Sequence, residues 1–144
     1  MNVAVVVACW NYIPMEIKRD APIEPKEIED LRETVGWERS EGTYEEIINR
    51  LYTYYTVRNE HDRLVGYMSV LSDGRSNSFL LDLVVHPHYQ KKGLGIRIVT
   101  RAIADMKAAG IQCVHVTFNE KLESFYSKCG FHIFRGGIID FKKM

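Results

Sequence analysis

The sequence predicts a single α/β domain with the element order β-α-α-β-β-β-α-β-α-β-β. Three observations carry that reading. Stretches with strand period or rich in β-branched and aromatic residues interchange with stretches whose apolar residues recur every three or four positions. Glycine, proline and Ser-Asp-Gly breaks fall between them at the spacing of turns rather than linkers. The 144 residues, 46% hydrophobic and 26% charged, suit one core, and no repeat or low-complexity tract divides them.

Each element has its own signal. Met15 to Arg19 alternates apolar and polar residues and reads as a short strand. Pro22, Pro25 and the spacing Ile28, Leu31, Val35 describe a one-faced helix entered through proline and stopped at Gly36. Thr43-x-x-Glu46 reads as a capping box opening a second helix, with Ile47, Ile48 and Leu51 on its buried face. Tyr52 to Val57 is aromatic and β-branched, hence a strand, and Asn59 to Asp62 is a polar turn. Leu64 to Leu71 and Phe79 to Val85 form a hairpin around Ser72-Asp73-Gly74.

Leu94, Ile98, Val99, Ala102, Ile103 and Met106 have helical period, and Gly110 ends that helix. Gln112 to Phe118 is a strand, and Asn119 caps a helix that buries Leu122, Phe125, Tyr126 and Cys129 before Gly130. Two short strands, Phe131 to Phe134 and Ile138 to Phe141, flank Gly136-Gly137. At the other end, Val3 to Cys9 is apolar but only about half the length of a membrane span, and no Lys or Arg precedes it. It reads either as an added strand or as a disordered leader. The regular pattern begins at Met15, so residues 1–14 form an N-terminal extension to a functional domain at 15–144.

Charge narrows the function classes. Nineteen basic residues balance nineteen acidic ones, which argues against a general nucleic-acid or anionic-membrane binder. The balance hides a polarity. Glu24 to Arg50 holds nine acidic and four basic residues, whereas His86 to Met144 holds ten basic and four acidic. Three scattered cysteines, Cys9, Cys113 and Cys129, signal neither a disulfide framework nor a zinc knuckle, and point to a reducing cytoplasm. Five histidines without ligand spacing predict no metal site.

The chemistry concentrates in Leu81-Asp-Leu-Val-Val-His-Pro-His-Tyr-Gln-Lys-Lys-Gly-Leu-Gly95, a strand leading through a proline turn and a basic glycine loop into a helix. A helix that starts beside glycines offers unpaired amides and a partial positive charge to phosphate oxygens. Lys91 and Lys92 add charge-assisted partners. Neither a dinucleotide fingerprint nor a Walker loop fits, because Ile98 stands where a third glycine is needed and no Gly-Lys-Ser/Thr follows.

Gln90-Lys-Lys-Gly93-Leu-Gly95, preceded by Val85-x-Pro87 and followed by Asn119-x6-Tyr126-x3-Gly130-Phe131, resembles the GNAT superfamily of acetyl-coenzyme A-dependent N-acetyltransferases. The resemblance spans Met15 to Phe141 in element order and is specific from Phe79 to Phe131. Phe125 to Phe131 also resembles the matching run of glucosamine-6-phosphate N-acetyltransferases, but the first half has no such match, so that substrate is not carried across. The resemblance implies the GNAT fold, a mixed and mostly antiparallel sheet flanked by helices, with acetyl-CoA as cosubstrate.

It further implies that the backbone of Leu83, Val84 and Val85 faces the pantetheine arm. Gln90, Lys91, Lys92, Gly93, Leu94, Gly95 and Ile96 would hold the pyrophosphate, with Asn119 and Tyr126 near the thiol end and Tyr126 as general acid. For the base, His115 and Asp82 are the candidates; each also reads as a structural residue, Asp82 because a carboxylate among Leu80, Leu81 and Leu83 must be paired. His86 and His88 are expected to face solvent. Trp37 and Glu38 are candidate acceptor contacts, an aromatic wall and an anionic group for an amine, and Tyr44, Tyr52, Tyr54 and Tyr55 either line that pocket or pack the sheet.

The expected activity is acetyl transfer to a primary amine by direct attack in a ternary complex. The alternative is a non-catalytic acyl-CoA-binding sensor or interaction module of the same fold. Partners are then an amine acceptor, with neither nucleic acid nor membrane; an edge strand from residues 1–14 would make a homodimer.

Overall fold

The computed structural model describes residues 15–143. The expectations for Val3 to Cys9 lie outside them. Strands β1 (Ile17–Arg19), β2 (Thr53–Arg58), β3 (Leu64–Ser72), β4 (Asn77–Val85) and β5 (Cys113–Val116) form one sheet in the order β1-β2-β3-β4-β5. The first three pairings are antiparallel and β4 with β5 is parallel, so the sheet is mixed and mostly antiparallel as expected.

Helices α1 (Pro25–Glu33) and α2 (Thr43–Ile47) lie between β1 and β2, α3 (Leu94–Ala108) between β4 and β5, and α4 (Glu123–Lys128) after β5. Among the described residues no helix is long and apolar enough to cross a membrane.

Two layers pack on opposite faces of the sheet. On one, α3 buries Leu94, Ile98, Val99, Ala102 and Met106 against Tyr55, Val57, Met68, Val70, Leu80 and Val85. Each large apolar side chain so buried contributes roughly 1.5–3 kcal/mol. Gly66 permits this contact, because a Cβ there would stand 3.0 Å from Ile98 Cδ1. On the other face, Ile28 and Leu31 of α1 and Tyr44 of α2 close over Leu64, Tyr67 and Val84.

Local readings differ in three places. Leu122, expected on the buried face of the last helix, lies in the 3-10 turn before it and is 45% exposed. Thr43 is the first residue of α2 and makes no capping bond; Gly42, with φ of 80°, precedes it, so the hydroxyl lies past the capping position. The reciprocal arrangement occurs instead at α1, where the Glu27 carboxylate accepts from the Glu24 amide at 3.0 Å behind Pro25. The two strands expected after Gly130 are not formed among the described residues. A lone hairpin is marginal without a packed face, and Phe134, Ile138, Ile139 and Phe141 are 73–83% exposed, so none of them supplies one.

Candidate functional site

The site is built around the second half of β4. β5 pairs with β4 only from Asn77 to Leu80, so among the described residues Leu81 to Val85 have no strand on that side. Main-chain groups on that edge are open to a ligand, as at any unpaired sheet edge. On the other side, pairing with β3 shifts: Ser69 faces Leu81 and Tyr67 faces Val84, leaving Asp82 and Leu83 opposite Met68. This is a β-bulge, and Asp82 takes a left-handed φ of 55° to make it.

The loop that follows is tied back to the strand. The His86 amide continues the ladder to Val65 O at 2.8 Å, and Gln90 Nε2 donates to Val85 O at 2.8 Å. Gln90 thus braces the loop through its own side chain. Lys91 (φ 60°) and Gly93 (φ 80°) take left-handed conformations that turn the chain into the start of α3. That helix start has no side-chain cap, which leaves its first amides for an anion.

The two glycines serve different ends. Gly93 supplies the left-handed turn. Gly95 supplies closeness, since a Cβ there would meet the Phe125 ring at 3.3 Å and Val85 Cγ2 at 3.9 Å. The start of α3, helix α4 and the end of β4 therefore meet at Gly95.

Tyr126 sits in that junction, 6% exposed. Phe118 stacks on its ring at 4.7 Å, and Phe125 and Phe131 pack edge-on at 4.9 and 5.8 Å. Its hydroxyl has no hydrogen bond among the described residues. Burial, with the Cys129 thiol adding to it, pushes the phenol above the ordinary tyrosine value. The group therefore stays protonated near neutrality and free to donate. Asn119 precedes a 3-10 turn (Glu120–Leu122) through its carbonyl, while its side chain caps nothing.

The opposite face of the bulge holds Asp82. Its Oδ1 pairs with Arg32 Nη1 at 3.2 Å and its Oδ2 accepts from the Tyr44 hydroxyl at 2.7 Å. Burial and the Asp82 carboxylate hold the Tyr44 phenol well above the ordinary range. The partner that Asp82 required is thus a pair of side chains from α1 and α2. Arg32 went unrecognised in the sequence; the only signal for it was that Asp82 needed a counter-charge.

Trp37, 39% exposed, presents one ring face to the Arg32 guanidinium at 5.1 Å. Glu38 is exposed and makes no ion pair or hydrogen bond among the described residues. His115 lies on the same sheet face as Asp82 but beside Phe79, on which it stacks at 4.7 Å, with Nε2 2.9 Å from Asn77 Oδ1. Tyr54 and Tyr67 stack on this face at 6.2 Å, whereas Tyr55 lies in the core under α3.

One expectation fails here. His86 is buried, not solvent-facing: its backbone is the last rung of the β4 ladder, and its Nδ1 accepts from the His88 amide at 3.1 Å. Burial, with Arg63 and His88 adding to it, lowers its pKa and favours the neutral ring. His88 is exposed as expected.

A half-open strand edge, a bulge, an uncapped helix start behind a glycine loop and the uncommitted hydroxyl of Tyr126 thus meet in one place. The model of the Acetyltransferase (GNAT) family matches residues 15–131, and the chain belongs to that family. It is 28% identical over 109 residues to an uncharacterized N-acetyltransferase, ycf52, of Pyropia yezoensis, across 73% of this chain and 63% of the relative.

The chain spans about three-fifths of the length of the first curated relatives it matches. Among solved structures, a GNAT family acetyltransferase of Streptococcus pneumoniae superposes with a TM-score of 0.71 at 27% identity, over 88% of this chain and 96% of the other. An acetyltransferase of Bacillus subtilis, solved in complex with CoA, gives a TM-score of 0.68 at 26% identity, over 85% and 79%.

Proposed function

We propose that the protein transfers the acetyl group of acetyl-CoA to a primary amine by direct attack within a ternary complex. The observation that carries this reading is the convergence, across Gly95, of the free edge of β4 with Tyr126, whose ring is buried and whose hydroxyl is uncommitted among the described residues. A phenol with no protein partner beside that edge can donate a proton, which transfer needs and coenzyme binding alone does not.

The donor set fits the ligand. Amides from Lys91 to Ile96 and the charges of Lys91 and Lys92 suit the pyrophosphate, with Gln90 bracing their loop. The free edge at Leu83, Val84 and Val85 suits the amide-bearing pantetheine arm, and the exposed Asn119 side chain, which caps nothing, is assigned to its thiol end. Bound acetyl-CoA supplies an activated thioester carbonyl. A main-chain amide of Val84 or Val85 polarises its oxygen, and Tyr126 protonates the departing thiolate.

The amine approaches on the α1 and α2 side, past Trp37 and Glu38. Both Asp82 oxygens are engaged, whereas His115 keeps one ring nitrogen without a partner among the described residues. We therefore assign removal of the amine proton, through water, to His115.

The test is incubation with acetyl-CoA and a panel of peptide N-termini, lysine, polyamines, amino sugars and arylalkylamines, following free thiol. Amine-dependent thiol release supports the transferase. Tight acetyl-CoA binding with no release across the panel would replace it with the sensor or interaction module.

A further inference from the structure

We propose that Arg32, Tyr44 and Asp82 form a positioning clamp that sets the β4 bulge. By it, the helices on the acceptor side fix the backbone facing the thioester. The proposal rests on the transferase reading above. Among the described residues, the non-glycine positions with positive φ are Asp20, Asp62, Asp82 and Lys91, and of these Asp82 alone lies inside a strand. A left-handed residue in a strand persists only where its surroundings over-determine it.

Here they do so through a closed triangle. Besides the two bonds to Asp82, Arg32 Nη1 donates to the Tyr44 hydroxyl at 2.8 Å, so each member touches the other two. The Arg32 guanidinium also lies over the rings of Trp37 and Tyr44, at 5.1 and 5.4 Å. The triangle joins α1, α2 and β4 across 12, 38 and 50 residues of sequence.

The bulge inserts one extra residue opposite Met68, and a strand without it would turn the following side chains to the other face. Leu83 to Val85, the segment of β4 that runs beside the gap left by β5, are therefore placed by a contact made on the α1 and α2 face of the sheet. A carboxylate held by a guanidinium and a phenol serves poorly as a base. It serves well as a tie. Asp82, Arg32 and Tyr44 are accordingly positioning residues that act through the β4 backbone.

The experiment uses the full chain, with acetyl-CoA and whichever panel amine releases thiol fastest. Tyr44→Phe, Asp82→Asn and their double variant are compared by kcat, by KM for acetyl-CoA, by calorimetric acetyl-CoA affinity, and by amide hydrogen exchange over residues 81–86. Displacement of the polarising backbone by about 1 Å predicts a loss in kcat of about ten- to a hundredfold. Acetyl-CoA affinity stays within about twofold, exchange at 81–86 quickens, and the double variant is no slower than the worse single, because one network is lost once.

Unchanged kcat, additive losses, or affinity falling in step with kcat would overturn the clamp. Tyr44→Phe keeps the packed ring and guards against simple unfolding. If the unaltered protein releases no thiol with any amine, the transferase reading fails on its own. Exchange then decides the clamp: faster exchange at 81–86 supports it and unchanged protection overturns it.

Discussion

Replacing Tyr126 with Phe removes one oxygen from a ring that three aromatic neighbours hold at 4.7, 4.9 and 5.8 Å. Because the hydroxyl bonds to no described residue, its loss leaves no partner stranded, and the expected change in stability is within about 0.5 kcal/mol. Tyr126→Ala, by contrast, would empty the junction at a cost of about 3–5 kcal/mol. Turnover should behave differently. A positioned general acid contributes about 10²–10⁴-fold, which is about 2.7–5.4 kcal/mol of barrier.

The assay is thiol release with a saturating amine, beside calorimetric acetyl-CoA binding and thermal unfolding. Tyr126→Phe should lose that turnover while keeping affinity and melting temperature. The raised phenol pKa adds a sign. The acid is active while protonated, so activity should persist as pH rises and fall only above the ordinary tyrosine value of about 10. Unaltered turnover in Tyr126→Phe, or a fall in parallel with coenzyme affinity, would refute the role.

The remaining predictions concern the loop, the core and the surface. Gly93→Asp and Gly95→Asp should each abolish retention on immobilised CoA, the first by strain at φ of 80° and misplaced charge, the second by collision with Phe125 as well. Gly95→Asp should therefore also lower the melting temperature. Tyr55→Phe breaks a 2.9 Å bond to Asp105 and should cost about 1–2 kcal/mol on a denaturant curve while leaving thiol release unchanged.

Glu27 is held below the ordinary carboxylate range, first by its hydrogen bond from Arg58. Its contribution is full above that range and disappears as pH falls through the lowered value, so the melting-temperature gap between the unaltered protein and Glu27→Gln should close in acid. Rates with a cationic amine should fall with added salt, given the acidic stretch from Glu24 to Arg50; salt-independent rates would leave that stretch without a steering role.

The coenzyme side was legible in the sequence because it is local. Turn chemistry at Gly93 and Gly95, the helix start and the burial of Tyr126 and Cys129 are settled within a few residues of themselves, whereas Leu122 of the same expected stripe is exposed. Gly95 shows the limit even there, since its need for closeness to Phe125 involves a residue 30 positions away. The two last strands failed for a related reason: their period was sound, but a strand also needs a partner and a packed face, and residues 131–141 find neither among the described residues.

The acceptor side is tertiary throughout. An apolar run containing Asp82 announces that a counter-charge exists and nothing about where it lies; Arg32 answers from 50 residues away. Nor does strand alternation help at that point, because the bulge breaks the count of two between Leu81 and Val84. His86 differs from expectation for the same cause, as a residue beside a proline looks like loop in sequence while the ladder to Val65 runs through it. The acidic charge of Glu24 to Arg50 was visible in sequence, yet the fold pairs part of it and part of its counter-charge, with Arg58 on Glu27, Arg39 on Asp30 and Glu33, and Arg32 turned away onto Asp82. What faces an arriving amine is therefore set by which charges the fold has already paired, and a count along the chain does not give that.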